Sequence, residues 1–566
     1  MNGKLKLICL CILLLQIRLS AQDTRQMDLK PVPTDKHWLF LTPETRSQGE
    51  LADAIREAES SFTERSLIRR QKVIHTNPPI RECDLLPSQP RLAAIESTGC
   101  KIERVLRYLN AVTVTGNSTA ISEASYLGFV EASRPVMALP RITSPELSQE
   151  ETESATHFIS DAEDYGQSYN QVALVNIPAV HNRGYRGSDI IIGVQDTGFD
   201  NLGHVCLSHI EILAAYDFVN NDPEVGNQHD MGLGAHGLRV LTVIAGLDSG
   251  NFIGAAPSAQ FILTKTENSE WERRVEEDDW VAGLWFHDSL GTDILSSSLS
   301  YRDWYRYEDL NGETAVTTIA ADSAVGAGMI IVNSAGNTGR DGYPFSKIGA
   351  PSDGNLVISV GGVISDSTHW GGASQGPTFD GRIKPEVSTL SVGVYSANNY
   401  SQVGYMPRNG TSYACPLASG VIALILEANP QLTPIQMRQI LFETSSHSNR
   451  PDTLYGYGIP DALAAVIMAE AMSVSSTPLL PVENYMTAYP NPFNSVLNVR
   501  FKHGFAPEFI ELRDLRGRIV SKYYLNSGQI QPENVRLAFG GFASGGYFLS
   551  ARDKRTNVLQ KVVFVR

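Results

Sequence analysis

Four side chains in the central part of the chain are of the types that acyl transfer requires. Asp196 supplies a carboxylate, His236 an imidazole, Asn337 a side-chain amide and Ser412 a hydroxyl. The imidazole can take the proton of the hydroxyl while the carboxylate holds its orientation, and an amide donor to the oxyanion contributes about 3 kcal/mol. Alone, each residue is ordinary, since a serine at a helix start is usually a cap. Their combination predicts an acyl-transfer site.

Each of these residues lies at the end of a predicted regular element. Strands are predicted at 189–195, 261–264, 294–295, 329–332 and 356–360, and helices at 236–246 and 412–428. Short apolar strands that alternate with helices are typical of an α/β domain with a mainly parallel sheet flanked by helices. Active sites in such sheets lie at the carboxyl ends of the strands, so we expect the four side chains to meet there.

A second candidate nucleophile is Ser374. The segment Gly372-Ala373-Ser374-Gln375-Gly376 matches the nucleophile elbow of esterases. That elbow requires a helix directly after the serine, whereas Pro377 follows here. An esterase that uses Ser374 therefore stays as a weaker alternative.

The flanking segments predict further domains. The predicted boundaries are a signal peptide at 1–21, an α+β unit at 36–140, an acidic linker at 141–164, the α/β domain at 165–475 and a β-sandwich at 485–566. The linker prediction depends on charge, because no Lys or Arg occurs between Arg141 and Arg183. The α+β unit includes a predicted amphipathic helix over 51–73. The C-terminal prediction depends on short predicted strands at 497–501, 509–512, 535–539, 547–551 and 562–565, which turn residues separate.

Charge and hydropathy exclude some function classes. The 566 residues include 46 Lys and Arg against 61 Asp and Glu, a net charge of −15, which argues against nucleic acid as a partner. Lys4 and Lys6 precede an apolar run that ends near the small residue Ala21, which is typical of a secretory signal. No later segment is predicted to span a membrane, and the apolar run 417–428 is interpreted as a core helix.

The motifs around these residues resemble the subtilisin family of serine peptidases. The matching blocks are Asp196-Thr197-Gly198, His236-Gly237, Ser334-Ala335-Gly336-Asn337 and Gly410-Thr411-Ser412. The resemblance implies that Asp196, His236 and Ser412 form the triad and that Asn337 is the oxyanion donor. It also implies that Ser298, Leu299, Ser300 and Gly336 bind the substrate beside the primary specificity pocket.

The two ends of the chain carry resemblances of their own. Residues 36–140 resemble an inhibitory propeptide, and the last eighty or so residues resemble the sorting tail of the type IX secretion system, with Tyr489-Pro490-Asn491-Pro492 as one matching block. Together they imply a secreted endopeptidase made as an inhibited precursor, located outside the cell or on its surface. The implied partners are protein or peptide substrates, the protein's own propeptide and the secretion machinery.

One departure from the family keeps a binding function open. Leu238-Arg239 stands where the family usually has Thr-His, so the alternative is a secreted surface protein with a peptidase-like fold that does not cut. Ser300 stands where the family commonly has Gly, which predicts a narrower pocket.

Metal and thiol chemistry have weaker support in the sequence. No cofactor is required; the resemblance permits a structural calcium ion, but no loop has a readable ligand spacing. His204, Cys206 and His209 lack a clear fourth ligand and are interpreted as ordinary residues. The sequence alone does not decide whether Cys83 and Cys100 pair.

Overall fold

The computed structural model divides the chain into two compact units, residues 1–473 and 474–566. The described residues are 32–140, 165–226, 234–268, 271–273, 275–474, 486–489, 496–501, 507, 509–513, 519–525, 535–538, 545–552 and 557–564. The predicted signal peptide and acidic linker lie outside these residues.

A seven-stranded sheet forms the centre of the first unit. Its strands stand in the order β14-β13-β12-β11-β5-β9-β6, and every neighbouring pair is parallel. They are β5 (Ile191–Asp196), β6 (Glu211–Asp217), β9 (Gln260–Lys265), β11 (Ile294–Ser297), β12 (Ile330–Ser334), β13 (Ile358–Val363) and β14 (Val387–Leu390). The strand order reverses between β5 and β11, and ligands of open α/β sheets bind at such a point.

Helices cover both faces of this sheet. One core cluster contains Val194, Leu241 and Val421, and the other contains Leu295, Leu284 and Ala320. The helices of this domain are α5 (Tyr169–Ala173), α6 (Ile177–His181), α7 (His236–Ala245), α8 (Val275–Leu290), α9 (Val316–Val325), α10 (Thr411–Ala428), α11 (Pro434–Glu443) and α12 (Ala462–Val474). Short strands of the same domain outside this sheet include β7 (Leu247–Asp248), β8 (Phe252–Ile253), β15 (Val394–Ala397) and β16 (Tyr405–Arg408).

Helix α10 is the long apolar helix that the sequence predicts. By length and composition alone it could cross a membrane, but 89% of it is buried inside the fold. It packs against β11, β12, β13 and β14, which explains why almost every side chain on it is apolar.

The N-terminal region is the predicted α+β unit. Its antiparallel sheet has the order β10-β4-β1-β3-β2, in which β10 (Trp271–Arg273) comes from the α/β domain. The other strands are β1 (Val32–Leu41), β2 (Lys101–Leu106), β3 (Ala111–Thr115) and β4 (Val130–Pro140). The helices are α1 (Gln48–Ser60), α2 (Glu64–Gln71), α3 (Gln89–Ser97) and α4 (Ser118–Ser125).

One predicted helix of this unit is divided. The sequence predicts a single amphipathic helix over 51–73, whereas α1 ends at Ser60 and α2 begins at Glu64. Thr63 has an extended backbone and its side chain accepts a hydrogen bond from the N–H of Ser66, so it caps a new helix.

The second unit consists of two small antiparallel sheets. Their orders are β17-β18-β21 and β20-β19-β22-β23. Leu497 and Val499 of the first sheet share one core cluster with Leu512 and Leu549 of the second. The strands are β17 (Met486–Tyr489), β18 (Val496–Phe501), β19 (Phe509–Arg513), β20 (Ile519–Tyr524), β21 (Val535–Ala538), β22 (Gly545–Arg552) and β23 (Asn557–Phe564). The sequence analysis missed β17 and β20, since β20 is mostly exposed and lacks a continuous apolar run.

Candidate active site

The acid and the imidazole of the predicted triad are hydrogen-bonded. Asp196 ends β5 and is fully buried, and its Oδ1 lies 2.7 Å from Nδ1 of His236, the first residue of α7. The side chain of His236 is 26% exposed, so its other ring nitrogen can reach a group in the cleft. A buried carboxylate at this distance holds the imidazole in one orientation.

Close packing explains the glycine after this histidine. A Cβ added at Gly237 would lie 2.5 Å from the carbonyl oxygen of Gly198 and 3.0 Å from Cβ of Asp196. Only a residue without a side chain lets α7 approach the end of β5 this closely.

Ser412 is the second residue of α10, and the residue that follows it contacts the imidazole. The ring of its neighbour Tyr413 is 5.8 Å from the ring of His236, measured between centroids. Ser412 is 9% exposed, and its Oγ makes no hydrogen bond with a described residue. In an enzyme without substrate, the hydrogen bond between the nucleophile and its base is often long, and it shortens in the substrate complex. The backbone N–H of Ser412, in the first turn of a helix, has no intrahelical acceptor.

Asn337 is oriented by the residue that precedes the candidate nucleophile. Its Oδ1 accepts hydrogen bonds from the backbone N–H of Thr411 at 2.9 Å and from the Thr411 hydroxyl at 3.0 Å. Because the oxygen is occupied, the NH₂ group points the other way, and it is a donor only. Gly410, with φ +142°, permits the turn that brings Thr411 here. The sequence analysis missed Thr411; its position between Gly410 and Ser412 was the only signal.

The predicted substrate-binding residues surround the same point. The Ser298 hydroxyl donates to the carbonyl oxygen of Ser412 at 3.0 Å, and the side-chain amide of Asn333 donates to the carbonyl oxygen of Leu299 at 2.9 Å. Oγ of Ser300 is inaccessible to solvent and has no hydrogen-bond partner among the described residues. Gly336 has φ +104° and precedes Asn337. All eight predicted site residues therefore lie around the carboxyl ends of β5, β11 and β12.

The unusual residues after His236 are Leu238 and Arg239, and both are buried. Leu238 is completely buried in the core, and the guanidinium of Arg239 donates to Oδ1 of Asn399 at 3.0 Å and 3.2 Å. The Leu238-Arg239 pair thus changes the packing of α7 rather than the groups that face the imidazole.

The alternative nucleophile lies in a different environment. Ser374 is completely buried, its Oγ lies 2.9 Å from Oγ1 of Thr338, and no helix directly follows it. A buried hydroxyl without a neighbouring base cannot act as the elbow of an esterase.

The thiols and histidines outside the site are structural. Burial raises the pKa of Cys415 to about 12, so its thiol stays neutral, as expected for a packed side chain. Cys83 and Cys100 are free thiols. His204 and His209 each hydrogen-bond to a backbone carbonyl, and among the described residues no group of three His, Cys, Asp or Glu could hold a metal ion.

The N-terminal unit covers the acidic first turn of α8. Glu276, Glu277, Asp278 and Asp279 are all buried. The indole of Trp38 and the hydroxyl of Thr113 donate to Asp278, and Arg104 lies 2.7 Å from Asp279. Burial raises the pKa of Asp278 to about 6 and that of Asp279 to about 7.

A buried ion network joins the N-terminal α+β unit to a second place on α8, near the C-terminal end of that helix. Arg69 and Arg70 of α2 pair with Asp288, which also accepts from the hydroxyl of Tyr108. Both arginines and Asp288 are buried. Removal of one partner from such a network leaves an uncompensated charge and costs about 3–5 kcal/mol.

The end of the N-terminal unit lies at the catalytic edge of the sheet. Strand β4 pairs antiparallel with β10, with Pro140 opposite Trp271 and Ala138 opposite Arg273. Since β10 follows the carboxyl end of β9, which is next to β5, the chain leaves this unit beside the edge that holds Asp196.

Comparison with known proteins agrees with this fold and shows the family. Residues 187–458 match the Subtilase family (Peptidase S8), residues 36–154 the Peptidase S8 propeptide domain of Bacteroidota, and residues 487–565 the Secretion system C-terminal sorting domain. Subtilisin DY of Bacillus licheniformis is 30% identical over 298 residues, which cover 52% of this chain and 97% of that protein. Subtilisin E of Bacillus subtilis (strain 168) is 27% identical over 387 residues, covering 67% of this chain and 87% of that protein.

An α/β domain with an acid, an imidazole and a serine at one sheet edge, preceded by a propeptide, defines a serine peptidase made as a precursor. The chain belongs to the subtilase family of serine peptidases and carries a type IX sorting tail. That tail indicates export to the cell surface or the extracellular space. The predicted family, fold class and enzyme class are confirmed, whereas the domain boundaries and the roles of individual residues stay predictions.

Proposed function

We propose that the protein is an endopeptidase that cleaves peptide bonds through an acyl-enzyme on Ser412. His236 removes the Oγ proton as Oγ attacks the carbonyl carbon, and Asp196 stabilises the imidazolium that results. The NH₂ group of Asn337 donates to the oxyanion, together with the backbone N–H of Ser412. The imidazolium then protonates the leaving amine as the C–N bond breaks, and water releases the acyl group by the same steps in reverse order.

The observation that carries this proposal is the hydrogen bond of 2.7 Å between buried Asp196 and His236, whose ring lies 5.8 Å from that of Tyr413, the neighbour of Ser412. A protein that only binds needs no buried carboxylate to orient an imidazole. The alternative of a non-catalytic surface protein is supported only by Leu238-Arg239, and the guanidinium of Arg239 hydrogen-bonds to Asn399.

We also propose that residues 36–140 inhibit the precursor and that the enzyme itself cuts within or near the acidic linker at 141–164. The proposal is supported by the exit of β4 beside the catalytic edge and by the covered acidic turn of α8. The peptidase domain would then extend over 165–475 and the sorting domain over 485–566.

A fluorophosphonate probe tests the nucleophile. It is expected to label the purified wild-type protein at Ser412, and Ser412→Ala should abolish labelling, while Ser374→Ala serves as the matched control and should still be labelled. Ser412→Ala should also accumulate uncut precursor. A folded wild-type protein that takes no label would support the binding alternative, and normal processing of Ser412→Ala would assign the cleavage to another protease.

A further inference from the structure

Ser374, the serine of the sequence that resembles a nucleophile elbow, contacts both residues that flank the candidate oxyanion donor. Its backbone N–H donates to the carbonyl oxygen of Gly336 at 2.8 Å. Its Oγ accepts from the backbone N–H of Thr338 at 3.1 Å and lies 2.9 Å from Oγ1 of the same threonine. Asn337 stands between Gly336 and Thr338, so Ser374 holds the chain on both sides of the amide that would meet the oxyanion.

The loops that carry these residues are packed against each other. The N–H of Gly339 donates to the carbonyl oxygen of Gly372 at 3.0 Å, which joins the two loops a second time. A Cβ added at Gly339 would lie 2.1 Å from the carbonyl oxygen of Ala373. A Cβ added at Gly336 would lie 2.8 Å from Oγ of Ser374. The two loops are therefore in direct contact, and residues without a side chain permit this approach.

The hydroxyl of Ser374 is a fixed point for an exposed turn. Ser374 is completely buried, whereas Asn337 is exposed and Thr338 is half-buried. Among the described residues, the N–H of Thr338 has no other hydrogen-bond acceptor. Loss of such a bond leaves a backbone donor without a partner, which is costly in a partly buried position. The turn is therefore attached to the interior of the domain through this serine.

Thr411 holds a different part of the same turn. Its N–H and hydroxyl bond to Oδ1 of Asn337, which fixes the rotation of the amide. The hydroxyl also lies 3.1 Å from both the backbone nitrogen and the carbonyl oxygen of Gly336. The backbone after Asn337 is the part that depends on Ser374. A donor is effective at about 2.7–3.1 Å from the oxyanion, so a shift of this backbone weakens it even when the amide keeps its rotation.

We propose that Ser374 is a positioning residue of the oxyanion site, because its hydroxyl holds the N–H of Thr338 and with it the backbone that carries Asn337. The inference rests on the proposed function, since the position of this amide matters only when an oxyanion forms after attack by Ser412. It gives the buried serine a role in the reaction although it is not the nucleophile.

Steady-state kinetics of Ser374→Ala on one peptide substrate is the first measurement. We expect kcat to fall by about tenfold or more with KM within about twofold, because the serine acts on the transition state and not on ground-state binding. Ser374→Cys, whose thiol is a weaker acceptor, should lose less. Ser388→Ala is the matched control and should keep kcat, since Ser388 is also completely buried and its hydroxyl donates to the carbonyl oxygen of Tyr455 at 3.2 Å.

A double-mutant cycle separates this role from a merely structural one. In an Asn337→Ala background the amide is already absent, so Ser374→Ala should lower kcat by less than about twofold further. The thermal midpoint of each variant is measured alongside, because loss of a buried hydrogen bond lowers the stability of Ser374→Ala and Ser388→Ala alike. The loss of kcat is what should distinguish the two. Where Ser374→Ala does not fold, Ser374→Cys takes its place in the same cycle.

Two results would overturn the inference. Equal losses of kcat for Ser374→Ala with and without the amide of Asn337 would make the serine a stabilising residue only. An unchanged kcat in folded Ser374→Ala would show that Thr411 alone positions the amide. The fluorophosphonate should still label Ser412 in Ser374→Ala, although more slowly. A wild-type protein that takes no label therefore counts against the proposed function, and the kinetic results above count against this inference.

Discussion

The orientation of one amide group decides how the oxyanion would be stabilised. Asn337 is exposed, yet its oxygen accepts from both the N–H and the hydroxyl of Thr411, and the Thr411 hydroxyl also accepts from the N–H of Gly336. The candidate oxyanion donor is therefore held by Thr411, and the candidate nucleophile Ser412 is the next residue of the same helix. Such preorganisation is effective because the dipole needs no rearrangement when charge develops.

Asn337→Ala should lower kcat by about 10²–10³ with little change in KM, because the amide acts on the transition state. Thr411→Val should cause a smaller loss, since the backbone N–H of residue 411 still holds the amide oxygen. Steady-state kinetics on one peptide substrate would measure both, with Asn311→Ala, whose amide closes a surface turn, as the control. A rise in KM at constant kcat would instead place Asn337 in ground-state binding.

The carboxylates in the first turn of α8 contact both the peptidase domain and the propeptide. Glu277 accepts from Trp304 and Tyr305 within the peptidase domain, whereas Asp278 and Asp279 face Lys36 and Arg104 of the propeptide. Carboxylates at a helix N-terminus are stabilised by the helix dipole. Burial by the propeptide opposes this and raises the pKa of Asp278 and Asp279.

Propeptide retention should therefore depend on pH. An exposed Asp has a pKa of about 3.9, so binding of the propeptide takes up protons. Retention should be greatest in acid and decline as the pH rises through about 6 and about 7. The measurement is co-elution of the cleaved propeptide with the mature enzyme at a series of pH values.

The variant Asp279→Asn separates proton uptake at residue 279 from that at other titrating groups. His37 is one such group, and burial lowers its pKa. The variant should flatten the pH dependence, because residue 279 no longer exchanges a proton on binding. Retention that increases with pH would show instead that the ion pairs with Lys36 and Arg104 outweigh desolvation.

Over its full length, the chain combines a peptidase unit with a separate sorting unit. The split between residues 473 and 474 lies at the C-terminal end of α12, and each unit has its own core. A domain with its own core can fold independently.

Deletion of 475–566 should leave kcat/KM within about twofold of the full-length value, because the catalytic groups and their core are all in the first unit. The same deletion should abolish release to the cell surface. Fractionation of cells, followed by fluorophosphonate labelling of each fraction, measures both effects. Loss of labelling in a folded, truncated protein would show that the tail contributes to the site.

Much of the site could be predicted from sequence because catalysis constrains residue types at the ends of regular elements. Asp196, His236, Asn337 and Ser412 follow or begin apolar runs with turn residues beside them. The strand and helix periods place such residues at the ends of elements, and parallel strands bring those ends to one edge. The division of helix 51–73 was not predictable, since its cap at Thr63 lies inside a continuous amphipathic pattern.

Local patterns of apolar and polar residues were enough to define the fold class, the order of the domains and the groups available for acyl transfer. Which side chains face each other across long separations in the chain became visible only in the folded protein. Arg302 reaches Thr338 and Lys347, Arg239 turns to Asn399, and the arginines of α2 pair with Asp288. Hydrogen bonds and ion pairs act over a few ångströms, so their partners exist only once the chain has packed.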